Sequence, residues 1–201
     1  MVSVLTAVNP EGPLDLPAQD HPHQAVWQLL ENVCDPEIPV VSLREMGVLR
    51  DIRQGPQGLQ VIITPTYSGC PAMTQMHDDV QAALAAAGVH AEVITQLAPA
   101  WSSDWLTAEA REKLRRYGIA PPNGHAFLHG SASQTAGGSA TASLVSNVVH
   151  FKRSTTPAEV VACPQCASIN TTEVSRFGST ACKAMYRCLD CMEPFDYFKP
   201  Y

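Results

Sequence analysis

The chain has 201 residues, 45% of them hydrophobic and 16% charged, enough to bury one ordinary core or a modest one with a small satellite. Its 13 Lys and Arg against 19 Asp and Glu leave a net charge of −6, which argues against a nucleic-acid partner, because displacing counterions from phosphates needs a basic face. No apolar run approaches the ~20 residues of a membrane span, and the first basic residue, Arg44, lies too far in for a signal peptide.

The seven Cys then read as reduced thiols or metal ligands, and a soluble cytoplasmic protein is expected. Charge and cysteine usage divide the chain into an N-terminal extension (1–22), an α/β domain (23–129), a flexible Gly/Ser/Ala/Thr linker (130–159) and a C-terminal module (160–201). The apolar stretch 144–151 within the linker could pair as a stray strand.

Residues 23–33 place Val26, Leu29, Leu30 and Val33 on one helical face. Asp20 is a candidate cap, and Asp35-Pro36 is the stop, since Pro disfavours helical geometry in the residue before it. Ser42 and Glu45 have capping-box spacing, and Gly47 follows so soon that only a single turn fits. Residues 48–52 and 59–64 read as a hairpin around a turn-rich 54–58. Cys70-Pro71 opens a helix running to Ala87, with Pro at the first helical position and Gly88 as its stop. A third strand is expected over 89–97. Thr107 caps a helix that carries acids first and bases last and stops at Gly118, and Pro121-Pro122 closes the domain. The expected fold is α/β: a small three-stranded mixed sheet with helices on one side, plus a C-terminal zinc-ribbon-like module with strands near 171–177, 184–187 and 195–198.

Two places carry chemistry. Cys70 sits where a strand turns directly into a helix, and the helix N-terminus would favour its thiolate and lower its pKa. The competing reading is a small buried hydrophobe at a tight turn. Thr64, Thr66, Tyr67 and Ser68 supply hydroxyls nearby. Asp35 and Glu37 flank Pro36 and could ligate a metal, deprotonate a thiol or cap backbone donors, the last being the common role of Asp-Pro. In the C-terminal module, Cys163-Pro-Gln-Cys166 and Cys188-Leu-Asp-Cys191 form two Cys-x-x-Cys knuckles 21 residues apart. That spacing suits a tetrahedral Zn²⁺ site, although iron would fit the same four sulfurs. A module this small needs such a clip to fold, and replacing Cys188 by Ser is expected to unfold it alone. Cys182 is a fifth thiol: packing residue, alternate ligand or second functional thiol, with packing favoured.

Asp35-Pro-Glu-Ile-Pro-Val-Val-Ser-Leu, Met46-Gly-Val, Thr64-Pro-Thr-Tyr-Ser-Gly-Cys-Pro and Pro99-Ala-Trp-Ser-Ser-Asp-Trp together resemble the PaaD/SufT family, small α/β domains implicated in iron–sulfur cluster assembly. Phe177-Gly-Ser-Thr-Ala-Cys-Lys-Ala-Met-Tyr-Arg-Cys and Glu193-Pro-Phe-Asp-Tyr-Phe-Lys-Pro are similar to its PaaD branch, encoded with the components of phenylacetyl-CoA epoxygenase. The resemblance covers residues 25–129 and 162–201; Cys34 matches no motif position. It implies that Cys70 is the functional thiol, with transient iron or an iron–sulfur cluster there, and that Asp35, Glu37, Thr64 and Thr66 line the same site. It further implies an accessory role in cluster assembly or insertion, with no catalytic activity of its own. The epoxygenase components would be the partners, foremost the iron–sulfur flavoprotein reductase. The alternatives are a structural subunit of that complex and a thiol enzyme using Cys70.

Overall fold

The computed structural model describes residues 23–123 and 160–201; the extension, the linker with its 144–151 segment, and Asp20 lie outside them. Helix α1 (Gln24–Leu30) buries Trp27 and Leu30. It stops short of residue 33 because the Leu43 N–H donates to the Val33 carbonyl at 2.8 Å, drawing the chain into a bridge between Cys34 and Ser42. The capping box then closes on one turn. The Ser42 N–H donates to Glu45 Oε2 at 2.9 Å, and the Glu45 N–H donates to Ser42 Oγ at 3.2 Å. Gly47 follows at φ +69°, where a Cβ would lie 2.6 Å from that of Trp105.

Strands β1 (Leu49–Gly55) and β2 (Gly58–Ile63) pair antiparallel down to Gly55 opposite Gly58, the two-residue loop of a tight hairpin. Helix α2 (Met73–Ala86) buries Met76, Val80 and Leu84 at four-residue spacing, one stripe of its surface. The chain returns as β3 (Ala91–Thr95), parallel to β2 with Val61 opposite Val93. The sheet is therefore three-stranded and mixed, in the order β1-β2-β3, as expected. Helix α3 (Ala108–Tyr117) starts where Thr107 Oγ1 accepts from the Ala110 N–H at 3.0 Å and stops at Gly118, φ +93°.

The chain then makes a two-residue strand, β4 (Ile119–Ala120). The C-terminal part contributes β5 (Thr171–Ser175), β6 (Lys183–Cys188) and β7 (Pro194–Phe198), all antiparallel. Strand β4 pairs parallel with β7, giving a four-stranded sheet in the order β4-β7-β6-β5. The ribbon thus continues the first part of the chain. Phe198 is fully buried and packs edge-on against Trp101 at 5.8 Å, and both belong to the same core as Met46, Ile63 and Leu114. The Ser103 N–H donates to the Tyr201 carbonyl at 3.0 Å. No helix among the described residues is long and apolar enough to cross a membrane.

Candidate functional site

The two knuckles converge. Cys163, Cys166, Cys188 and Cys191 hold their four sulfurs within 4.8 Å of one another, Cys163 and Cys188 buried, the other two exposed. Cys163 Sγ lies 3.8 Å from Cys191 Sγ, and Cys166 Sγ lies 3.6 Å from Cys188 Sγ. Metal–sulfur bonds of ~2.3 Å in a tetrahedron set the sulfurs ~3.8 Å apart, so the donor set fits a four-thiolate metal. Each knuckle turns in the same way: Ala167 and Met192, each following the second cysteine of its pair, adopt positive φ of 62° and 68°. Asp190 ties the knuckles together by accepting from Ser168 and from Asn170 Nδ2, the latter at 2.7 Å. The Cys191 N–H donates to Cys188 Sγ at 3.5 Å, holding that thiol down at about 7.

A second site lies where the ribbon meets the first sheet. Asp35, Glu37, Thr66 and Cys70 from the first part, and Thr180, Cys182 and Phe198 from the second, line one cavity of about 20 Å³. That is room for a water molecule or two, or an ion. Cys70 is carried on a turn in which its N–H donates to the Tyr67 carbonyl at 3.2 Å and its carbonyl accepts from the Met73 N–H at 3.3 Å. Asp35 is 5% exposed, and its Oδ1 accepts from the Glu37 and Ile38 N–H groups at 2.7 and 3.0 Å. The turn-capping role of Asp-Pro is thus real, and it fixes a buried carboxyl beside the thiol. Burial pushes the Asp35 carboxyl up, against the two backbone N–H groups and the nearby Lys183 cation. Lys183 is itself 4% exposed and sits 3.4 Å from Asp196.

The expectation of a lowered Cys70 pKa is corrected in sign. Burial pushes the thiol up, and the backbone N–H of Ala72 offsets only part of this. The physical reason is where the helix starts. Met73 is its first residue and Ala72 its cap, so Pro71 precedes the helix and Cys70 lies outside it, facing a pocket whose other charged groups, Asp35 and Glu37, are acidic. Thr64 is buried at the end of β2, its N–H donating to the Val48 carbonyl at 2.8 Å, and does not line the cavity. Cys34 also lies elsewhere, with its Sγ 3.6 Å from the Asn32 carbonyl. Among the described residues no His lines the cavity; His77 sits on α2, paired with its neighbour Asp78.

Cys182 is the residue whose place the sequence obscured. It belongs by number to the ribbon, yet its side chain reaches the pocket of the first sheet, with its Sγ 3.0 Å from Thr180 Oγ1. Its position in a Gly/Ser/Thr loop before β6 carries no periodic signal that could have placed it.

A two-part α/β protein with a half-buried thiol pocket and a four-cysteine donor set for a metal is the class this geometry defines. Residues 23–93 match the family model "Iron-sulfur cluster assembly protein", and residues 148–199 match "PaaD zinc beta ribbon domain". The chain is 44% identical to a putative 1,2-phenylacetyl-CoA epoxidase subunit of Escherichia coli K12, covering 87% of this chain and 90% of that one. The chain belongs to this PaaD family. Among solved structures it is similar to a domain of unknown function, DUF59, from Bacillus anthracis, with TM-score 0.42 and 27% identity over 45% of this chain and 89% of that one. It is also similar to a Mycobacterium tuberculosis protein associated with Fe-S complex assembly and repair, with TM-score 0.29 and 26% identity over 53% and 98%.

Proposed function

We propose that this protein is a cytoplasmic accessory factor that assists iron–sulfur cluster assembly or insertion into the multicomponent phenylacetyl-CoA epoxidase. Its foremost client is the iron–sulfur flavoprotein reductase. The observation that carries the reading is the Cys70 pocket: a half-buried thiol beside a buried carboxyl, in a small cavity with room for an ion. A soft sulfur donor in that setting suits a thiophilic metal. The thiol-enzyme reading loses ground on the same observation, since among the described residues no imidazole lines the pocket to act as its base.

In this reading the four-cysteine centre holds Zn²⁺ and is structural, because four protein sulfurs leave no open coordination position. Its residues orient one another through Asp190 and hold β5, β6 and β7 in place. A second reading, a structural subunit of the epoxidase, is favoured by the name of the Escherichia coli relative, which makes that protein part of the enzyme. Deleting the chain separates the two. An assembly factor leaves the epoxidase polypeptides at normal levels and short of iron and acid-labile sulfide. A structural subunit is found in fixed stoichiometry with active epoxidase, and its loss leaves cluster content unchanged.

A further inference from the structure

We infer that Cys182 is the second ligand of the Cys70 site, so that the ribbon supplies half of a dithiolate pocket for a thiophilic metal ion or cluster; this deepens the assembly reading above and rests on it.

The two thiols come from separate parts of the chain and line one cavity. Both are held in place by backbone hydrogen bonds. The Cys182 carbonyl accepts from the Lys199 N–H at 3.0 Å. The preceding Ala181 carbonyl accepts from Tyr201 Oη at 3.1 Å, and Tyr67, three residues before Cys70, lines the same cavity as Cys182. The loop bearing Cys182 is therefore held by the C-terminal tail in the wall of the cavity that Cys70 also lines. The surrounding charges suit a cation with thiolate ligands. Asp35 and Glu37 line the same cavity, and the buried Lys183 stands next to Cys182 with Asp196 as its counter-ion. Two soft sulfurs lining one cavity of ionic size are donors suited to iron or its analogues, and incomplete protein ligation is what a site that passes its metal onward requires.

The test uses the full chain with its four-cysteine centre zinc-loaded. Anaerobic titration with Co²⁺ should show one further ion per chain with a thiolate-to-metal charge-transfer band. Cys70→Ala and Cys182→Ala should each weaken that binding at least tenfold, with zinc content unchanged. If Cys182→Ala binds as the wild type does while Cys70→Ala does not, Cys182 is a packing residue; this proposal falls and the assembly reading stands. If neither variant alters binding, or the wild type takes no further ion, both fall. Should Cys182→Ala misfold, the wild type alone decides. Diamide, taking up two electrons and two protons as the two thiols join, should yield a Cys70–Cys182 peptide pair on mapping. Absence of that pair overturns the proposal.

Discussion

Asp35 performs two tasks that substitution can separate. Its Oδ1 accepts two backbone N–H groups, and leaving such donors buried and unpaired costs about 1–3 kcal/mol. Asp35→Ala should therefore destabilise by about that amount, whereas Asp35→Asn keeps an acceptor oxygen and should stay within about 1 kcal/mol of wild type. Equal losses in urea unfolding for the two variants would remove the turn from the account. Glu45 gives the pH test. Burial raises its carboxyl, but the Lys113 ammonium at 2.6 Å and the two Ser42 donors outweigh this and hold it below the ordinary 4.5. A depressed folded value means stability present above the unfolded pKa and lost as pH falls through the folded one. Glu45→Gln should cost about 1 kcal/mol at pH 7, and the gap should close as pH drops below 4.5. A gap that stays constant down to pH 3 would contradict the ion pair's role. At this scale the sequence was legible for Asp35, because Asp-Pro has a local meaning. It misled for Cys70, because desolvation depends on which distant residues cover a thiol.

Among the elements, those with strong local grammar are where the sequence puts them. The capping box at Ser42 and Glu45, the Thr107 cap, the Gly118 stop and the β1–β2 hairpin all rest on contacts within a few residues. Helix α2 starts two residues later than Pro71 suggests, since a Pro can precede a helix as readily as open it. Strand β4 was illegible: two residues before Pro121-Pro122 show no period, and only the arrival of β7 makes them a strand. Gly47 is a close approach of elements that the sequence marks only by its type. Replacing it with Ala forces a side chain at φ +69° into the Trp105 Cβ, and we expect a loss of about 2–4 kcal/mol. A Gly47→Ala variant with an unchanged unfolding midpoint would show that Trp105 does not pack on this turn.

For the molecule as a whole, the ribbon is a wall of the thiol pocket. Phe198, Cys182 and strand β7 complete surfaces begun by Met46, Trp101 and β4, so the expectation that Cys188→Ser would disturb the ribbon alone gives way to a coupled one. Loss of the four-cysteine metal should raise hydrogen exchange at Ile119 and Ala120 and shift Trp101 fluorescence toward a wetter environment. Unaltered exchange there, with the metal gone, would mean that the two parts fold independently. The coupling was hidden because the residues that make it lie nearly a hundred positions apart, Ser103 against Tyr201 for instance. In the assembly reading the metal centre would keep Cys182 and Phe198 over Cys70. The central claim, that Cys70 serves cluster assembly on the epoxidase, is tested most directly by iron and acid-labile sulfide per polypeptide in the epoxidase reductase, purified anaerobically from cells carrying wild-type chain or Cys70→Ala. The account predicts reductase at normal abundance but depleted in both iron and sulfide with Cys70→Ala, while the variant itself stays folded with its four-cysteine centre filled; full cluster occupancy and full epoxidase activity with Cys70→Ala would contradict it.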